Sequence, residues 1–185
     1  MNQDLTKDIE EILFTEEQLQ KRIGELGAEL SRDYADKNPL VVGILKGVIP
    51  FYAAVVNRIT VPMTEDFMSV SSYNGTHSTG RLVIWKDLDR DITERHILLI
   101  EDIVDSGITL FTIKHNLLDR GAASVRICTL FDKPASRKVE ISADYCGFLC
   151  PDKFIVGYGL DYNEYYRNLP FVGVLKKEIY AAGGD

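Results

Sequence analysis

Cysteine is scarce in this chain. The three present, Cys128, Cys146 and Cys150, are odd in number and lack the paired C-x-x-C spacing of a zinc site. Reduced thiols in apolar or strand-like settings are expected. No apolar run approaches the roughly 20 residues a membrane-crossing helix needs, and Met1-Asn2-Gln3-Asp4 has neither the basic nor the apolar segment of a signal peptide. A cytoplasmic protein without a membrane partner is expected. Positive charge is also short: 21 Lys and Arg against 28 Asp and Glu leave a net charge of -7. That balance disfavours a general nucleic-acid binder, because phosphate backbones are held by basic surfaces. His77, His96 and His115 show no ligand spacing to one another and read as surface or loop residues. Repeats, low-complexity tracts and linkers are missing too. What is there is one chain of 185 residues, 45% hydrophobic, enough for a single domain with a sizeable core.

Thr15-Glu16-Glu17-Gln18 has the form of a capping box, and Leu19, Ile23, Leu26 and Leu30 follow at helical spacing, predicting a helix over about 16–34. Leu40 to Leu45 reads as a buried strand ended by Lys46-Gly47, with a second helix from near Pro50 to about Ile59. Strands are predicted at 67–73, 82–85, 97–100, 124–130, 145–149, 154–156 and 172–175, and a helix from Leu110 that closes at Gly121. Strands alternating with helices up to residue 130 predict an α/β fold with a mainly parallel sheet flanked by helices. The aromatic tail from Asp144 onward suggests a small cap.

The most informative segment is Ile97-Leu-Leu-Ile-Glu101-Asp102-Ile-Val-Asp105-Ser106-Gly107-Ile108-Thr109. An apolar strand runs into two adjacent acids, then a third, then a small-residue turn before a helix. Ligands of open α/β sheets bind at such strand ends. The backbone N–H groups of a Ser-Gly turn ahead of a helix suit a phosphate dianion, and Ser106 and Thr109 add hydroxyl donors. The patterns G-x-x-x-x-G-K-[ST] and G-x-G-x-x-G do not occur here, which excludes a triphosphatase loop and a dinucleotide fingerprint.

These thirteen residues resemble the phosphoribosyl-diphosphate signature of the type I phosphoribosyltransferases. The resemblance implies that Glu101 and Asp102 face the ribose hydroxyls and a metal, and that Ser106, Gly107, Ile108 and Thr109 hold the 5′-phosphate. Asp105 would act as general base toward the purine N7 proton. Lys46 and Gly47 match the family's pyrophosphate loop, which often carries a non-proline cis peptide before the lysine. Ser71-Ser72-Tyr73 and the polar tract to Gly80 look like the family's closing loop, with Ser72 and Tyr73 beside the diphosphate. A closing lid suits the chemistry, because a ribosyl cation must be kept from water.

Pro151 to Pro170 resembles the C-terminal motif of the hypoxanthine-guanine phosphoribosyltransferases. It implies that Phe154 stacks on the purine and the Ile155 backbone reads the base edge. Asp161 would hold magnesium and approach the 2-amino group, and Arg167 would meet pyrophosphate. Lys133, 28 residues before Asp161, matches the purine-contacting lysine. The local chemistry agrees: an aromatic face suits a flat heterocycle, a carboxylate is a hard-oxygen ligand for magnesium, and arginine fits phosphate as a fork. Asp132 varies among family members and implies little.

The resemblance implies a type I phosphoribosyltransferase fold in one domain over 1–185, with a core of about 35–140 and a hood from about 1–15 and 141–185. It further implies purine salvage: magnesium-dependent transfer of phosphoribosyl from phosphoribosyl diphosphate to hypoxanthine or guanine, by a homodimer or homotetramer. A xanthine-preferring enzyme, an RNA-binding regulator on the same fold and a nucleotide-binding module without chemistry are the rivals. The acidic balance opposes the regulator, and the set Lys46, Asp105, Lys133 and Asp161 favours catalysis over mere binding.

Overall fold

A computed structural model describes residues 4–72 and 82–181, the side chain of Ser72 excepted. A 3-10 turn at Leu5–Asp8 leads into β1 (Ile9–Phe14) and α1 (Glu16–Asp33), followed by β2 (Leu40–Leu45), α2 (Ile49–Val56) and β3 (Thr64–Ser72). Next come β4 (Leu82–Lys86), β5 (His96–Val104), α3 (Ile108–Asp119) and β6 (Ser124–Asp132). After a second 3-10 turn at Pro134–Ser136, the chain ends in β7 (Tyr145–Leu149), β8 (Ile155–Val156), β9 (Val172–Leu175) and α4 (Lys177–Ala181).

Six strands form one sheet in the order β4-β3-β2-β5-β6-β7. All its pairings are parallel except the antiparallel β3–β4 edge. Period-2 alternation on the inner strands explains how the sheet buries both faces. Val41, Leu98, Ile100, Cys128 and Leu130 pack with α1 and α2 on one side. Leu40, Val42, Ile97, Leu99, Val125 and Ile127 pack with Leu110, Ile113 and Leu117 of α3 on the other. The α1 capping box is formed in both directions by Thr15 and Gln18, and Leu19, Ile23, Leu26 and Leu30 are fully buried. Among the described residues no helix is long and apolar enough to cross a membrane.

The chain leaves β2 toward β3 on one side and returns through β5 on the other, so the strand order reverses at β2–β5. Side chains and loops at the carboxyl ends of these two strands therefore share a crevice. Over part of its mouth stands a second antiparallel sheet in the order β1-β9-β8. Tyr166 donates from its hydroxyl to Asp8, which ties the C-terminal segment to the N-terminal one.

Several elements depart from their sequence-based bounds. β5 runs on through Glu101 and Asp102 to Val104, because β6 continues beside it and pairs Glu101 with Thr129 and Val104 with Asp132. α3 begins at Ile108, so the turn is only Asp105 to Gly107. α2 ends at Val56, three residues short of Ile59. Tyr145–Leu149 is not part of the hood sheet but the parallel edge of the large one, so a hood boundary at 141 falls too early. β1 was not anticipated, because its two central glutamates hide the alternation.

Candidate active site

β2 and β5 deliver the first components. The Leu45–Lys46 peptide is cis. A Cβ on Gly47 would occupy the place of an Asp102 carboxylate oxygen and lie 3.1 Å from Arg167 Nη1, so only glycine lets this loop meet both. Gly159, at φ +102°, lies in the same way against the Gly47 carbonyl. The C-terminal motif is thus pressed onto the β2 turn.

Arg167 is the hub of that contact. It donates from Nη1 to the Gly159 carbonyl at 2.7 Å and from Nη2 to Glu164 at 3.3 Å, and it pairs with Asp161 at 2.7 Å. Its Nε is buried without a partner. Lys46 also meets Glu164, with both side chains largely exposed.

Glu101 and Asp102 are adjacent carboxylates on the last part of β5. Each is half-buried, Glu101 lining one side of the crevice and Asp102 another. Burial first, then the charge of Asp102, holds the Glu101 carboxyl well above its usual range. Asp102 is pushed up to about 6 by burial and, less strongly, by Asp161, against the opposing pull of the Ile103 amide and Arg167. Glu101 Oε2 has no hydrogen-bond partner. Two carboxylates raised in this way fit a cation that the protein itself does not provide. Among the described residues no group of three His, Cys, Asp or Glu side chains could hold a metal alone. That suits magnesium, which is commonly bound by one or two carboxylates plus substrate oxygens.

Beyond β5, the buried Gly107 takes φ +79° and caps α3 without a side-chain hydrogen bond, and the Ile108 amide donates to Ser106 Oγ at 3.5 Å. A cavity of about 360 Å³ lies here, between Leu45, Ser71, Glu101, Asp105, the Ser106-Gly107 turn and Thr109. A second cavity of about 240 Å³ is bounded by Asp102, Asp105, Lys133, Phe154, Ile155 and Asp161, together with Lys153 and Leu160. Asp105 borders both cavities and is exposed.

The second cavity is furnished for a flat polar ligand. Lys133 has only 12% of its side chain exposed, and its Nζ donates to the Lys153 carbonyl at 3.2 Å. Phe154 is 38% exposed, stacked on Tyr180 at 4.9 Å between ring centroids and met edge-on by Tyr162 at 5.6 Å. Ile155 is buried in the core beneath.

The described candidates thus gather at one crevice: Glu101, Asp105, Ser106, Gly107 and Thr109 around one cavity, and Asp102, Lys133, Phe154, Ile155 and Asp161 around the other. Lys46, Gly47 and Arg167 line neither cavity: Gly47 lies against Asp102, Arg167 pairs with Asp161, and Lys46 reaches Glu164. Ile108 lines neither cavity: its amide donates to Ser106 Oγ and its side chain faces out, 40% exposed. Tyr73 and the tract 74–80 lie outside the described residues, and Ser72 is described only as the last residue of β3. Sequence reasoning assigned no role to Glu164, which engages Lys46 and Arg167, nor to Tyr180, which backs Phe154. Glu164 stood inside the quoted motif, whereas nothing in the sequence pointed to Tyr180.

Comparison with known proteins agrees with this geometry. Residues 11–163 match the family model of the phosphoribosyl transferase domain. The chain is 52% identical over 174 residues to hypoxanthine-guanine phosphoribosyltransferase of Bacillus subtilis (strain 168), covering 94% of this chain and 97% of that protein. It is 51% identical over 181 residues to the bifunctional protein TilS/HprT of Listeria monocytogenes serotype 4b (strain F2365), covering 97% of this chain but only 28% of that longer protein. A crystal structure of a hypoxanthine phosphoribosyltransferase from Staphylococcus aureus superposes with a TM-score of 0.93 at 49% identity, covering 97% of this chain and 98% of that one. With its acid pair, Ser-Gly turn and second cavity in one crevice, the chain belongs to the phosphoribosyltransferase family and, within it, to the hypoxanthine-guanine branch.

Proposed function

We propose that this chain catalyses purine salvage, transferring 5-phosphoribosyl from phosphoribosyl diphosphate to hypoxanthine or guanine and giving IMP or GMP plus pyrophosphate. The observation that carries the reading is the pair of cavities meeting at Asp105, one edged by the Ser106-Gly107 turn and the other by Lys133 and Phe154. The 5′-phosphate sits on the amides of Ser106 to Thr109, and the ribose hydroxyls meet Glu101 and Asp102. Lys46, Gly47 and Arg167 receive the diphosphate, with Ser72 and Tyr73 closing over it. Phe154 stacks on the purine, Lys133 donates to its 6-oxo group, and Asp161 and the Ile155 backbone face its 2-position edge. Asp105 takes the N7 proton as N9 attacks C1 of the ribose, in a site held in line and away from water. Glu101 and Asp102, with Asp161 across the crevice and substrate oxygens completing the shell, would hold magnesium, which when bound neutralises charge on the leaving diphosphate. The protein works in the cytoplasm, which its three free thiols fit, as a homodimer or homotetramer.

The test is direct. Purified protein with magnesium and phosphoribosyl diphosphate is offered hypoxanthine, guanine, xanthine, adenine and orotate in turn, and nucleotide formation is followed by absorbance. Hypoxanthine and guanine should be used and adenine hardly at all. Product with orotate alone, or with no base, overturns the reading, and faster use of xanthine reassigns the base.

A further inference from the structure

Arg137 lies outside the groups that meet substrate, yet its guanidinium joins the two halves of the site. Nη1 donates to the backbone carbonyl of Asp105 at 2.7 Å. Nη2 meets the carboxylate of Asp132, the residue just before Lys133. Both side chains of this pair are nearly enclosed, 15% and 13% exposed. The stem of Arg137 fills the space beside Gly107, where an added Cβ would lie 3.0 Å from Arg137 Cδ.

The surrounding backbone runs in step with this contact. The Lys133 amide donates to the Val104 carbonyl, and the Lys138 amide to that of Ser106, each at 2.9 Å. Between these two bonds the segment 134–137 makes no backbone bond to 104–106. The Arg137 fork spans that gap and lands on Asp105. A planar guanidinium can serve a carboxylate and a carbonyl together in fixed geometry, which a lysine ammonium on a flexible stem does far less well.

We infer that Arg137 is a positioning residue for phosphoribosyl transfer, fixing the main chain of Asp105 and the phosphate turn relative to Lys133 by way of Asp132. The inference rests on the phosphoribosyl-transfer reading above. Misplacing a reacting group by about 1 Å can lower rate by about 10²-fold, so a loosened clamp is visible in kinetics before it is visible in the fold.

Steady-state constants for phosphoribosyl diphosphate and hypoxanthine, with thermal midpoints, are measured for wild type, Arg137→Lys and Asp132→Asn. Arg137→Lys keeps a cation beside Asp132 but loses the fork. It should melt within a few degrees of wild type while kcat falls about tenfold or more and KM for phosphoribosyl diphosphate rises more than KM for hypoxanthine. Asp132→Asn keeps an acceptor for Nη2 and should show the same pattern, reduced in size. Wild-type kcat and KM in a folded Arg137→Lys protein overturn the inference, as does a loss of rate matching only the loss of folded protein. Should Arg137→Lys fail to fold, Asp132→Asn decides by the same criteria. A wild type that makes no nucleotide with any base overturns the transfer reading itself, and this inference with it.

Discussion

Two places in the large sheet bury carboxylates, and they treat them oppositely. Asp66 on β3 is 7% exposed and fully partnered: it accepts from Lys86 Nζ at 2.9 Å, from its neighbour Phe67 at 2.7 Å and from the Asp89 amide at 2.9 Å. Burial alone would raise this carboxyl, but Lys86 and the two amides outweigh it and hold it below the usual range. Glu101 on β5 has a buried oxygen with no partner, and both it and Asp102 are held above the usual range. Asp102 accepts from the Ile103 amide at 2.8 Å, so the unsatisfied group is the Glu101 oxygen; buried polar groups in native proteins are ordinarily satisfied, and one left open in a crevice marks a place kept for a ligand. The Asp66 corner stabilises the β3–β4 edge; the β5 acids sacrifice stability for a site.

The comparison breaks if crevice substitutions cost stability rather than turnover. Asp105→Asn should produce the largest effect, lowering kcat by about 10²-fold or more, the usual scale for a lost general base, while the thermal midpoint stays within a degree or two. Unchanged turnover would leave Asp105 a mere helix-capping acid. Lys133→Met comes next. A 6-oxopurine offers an acceptor where adenine offers an amino donor, and lysine carries donors only. kcat/KM for hypoxanthine and guanine should fall about tenfold to 10²-fold, with affinity for phosphoribosyl diphosphate nearly kept. Equal use of adenine by wild type would remove Lys133 from base selection.

Asp66→Asn should do the reverse of both: destabilise by about 2 kcal/mol, the scale of a hydrogen bond to a charged group, and leave kcat unchanged. Denaturant titration and steady-state assay together check it, and a loss of turnover without a loss of stability would erase the contrast.

How much of this could be read from sequence follows from the range of the signals. α1 was legible because its cap and its apolar stripe are local, as were the inner strands of the sheet. That the acid pair, the Ser-Gly turn and the C-terminal motif would meet at one crevice was legible because each is contiguous and lies at the end of a recognisable strand. The true end of β5 was not, since it depends on β6 running alongside. β7 read as hood because its pairing with β6 is a property of two segments and not of one. Tyr180, stacked on Phe154 from the far end of the chain, left no signal near the motif it supports.

The smallest effect expected is in the pH dependence of stability, and its sign separates the two regions. A carboxyl held low in the fold, as Asp66 is, stabilises above the ordinary carboxyl range and loses that contribution as pH falls through its folded value. For Glu101 and Asp102 the folded form binds protons more tightly than the unfolded one. Their contribution is greatest below the ordinary carboxyl range and is lost as pH rises through each folded value, which is about 6 for Asp102 and well above the ordinary range for Glu101. Glu101→Gln should therefore flatten the melting profile on the neutral side, with a midpoint at pH 7 equal to or slightly above that of wild type. A lower midpoint would make Glu101 a stabilising residue like Asp66.

The central claim is that the Glu101 carboxyl is held without a partner until a cation and substrate arrive. Calorimetry of magnesium phosphoribosyl diphosphate binding, run at a series of pH values from the ordinary carboxyl range upward and in two buffers of different ionisation enthalpy, counts the protons that leave. Wild type should release more protons than Glu101→Gln, the difference being the carboxyl that discharges on binding; equal release by the two proteins, or net uptake by wild type, would contradict the account.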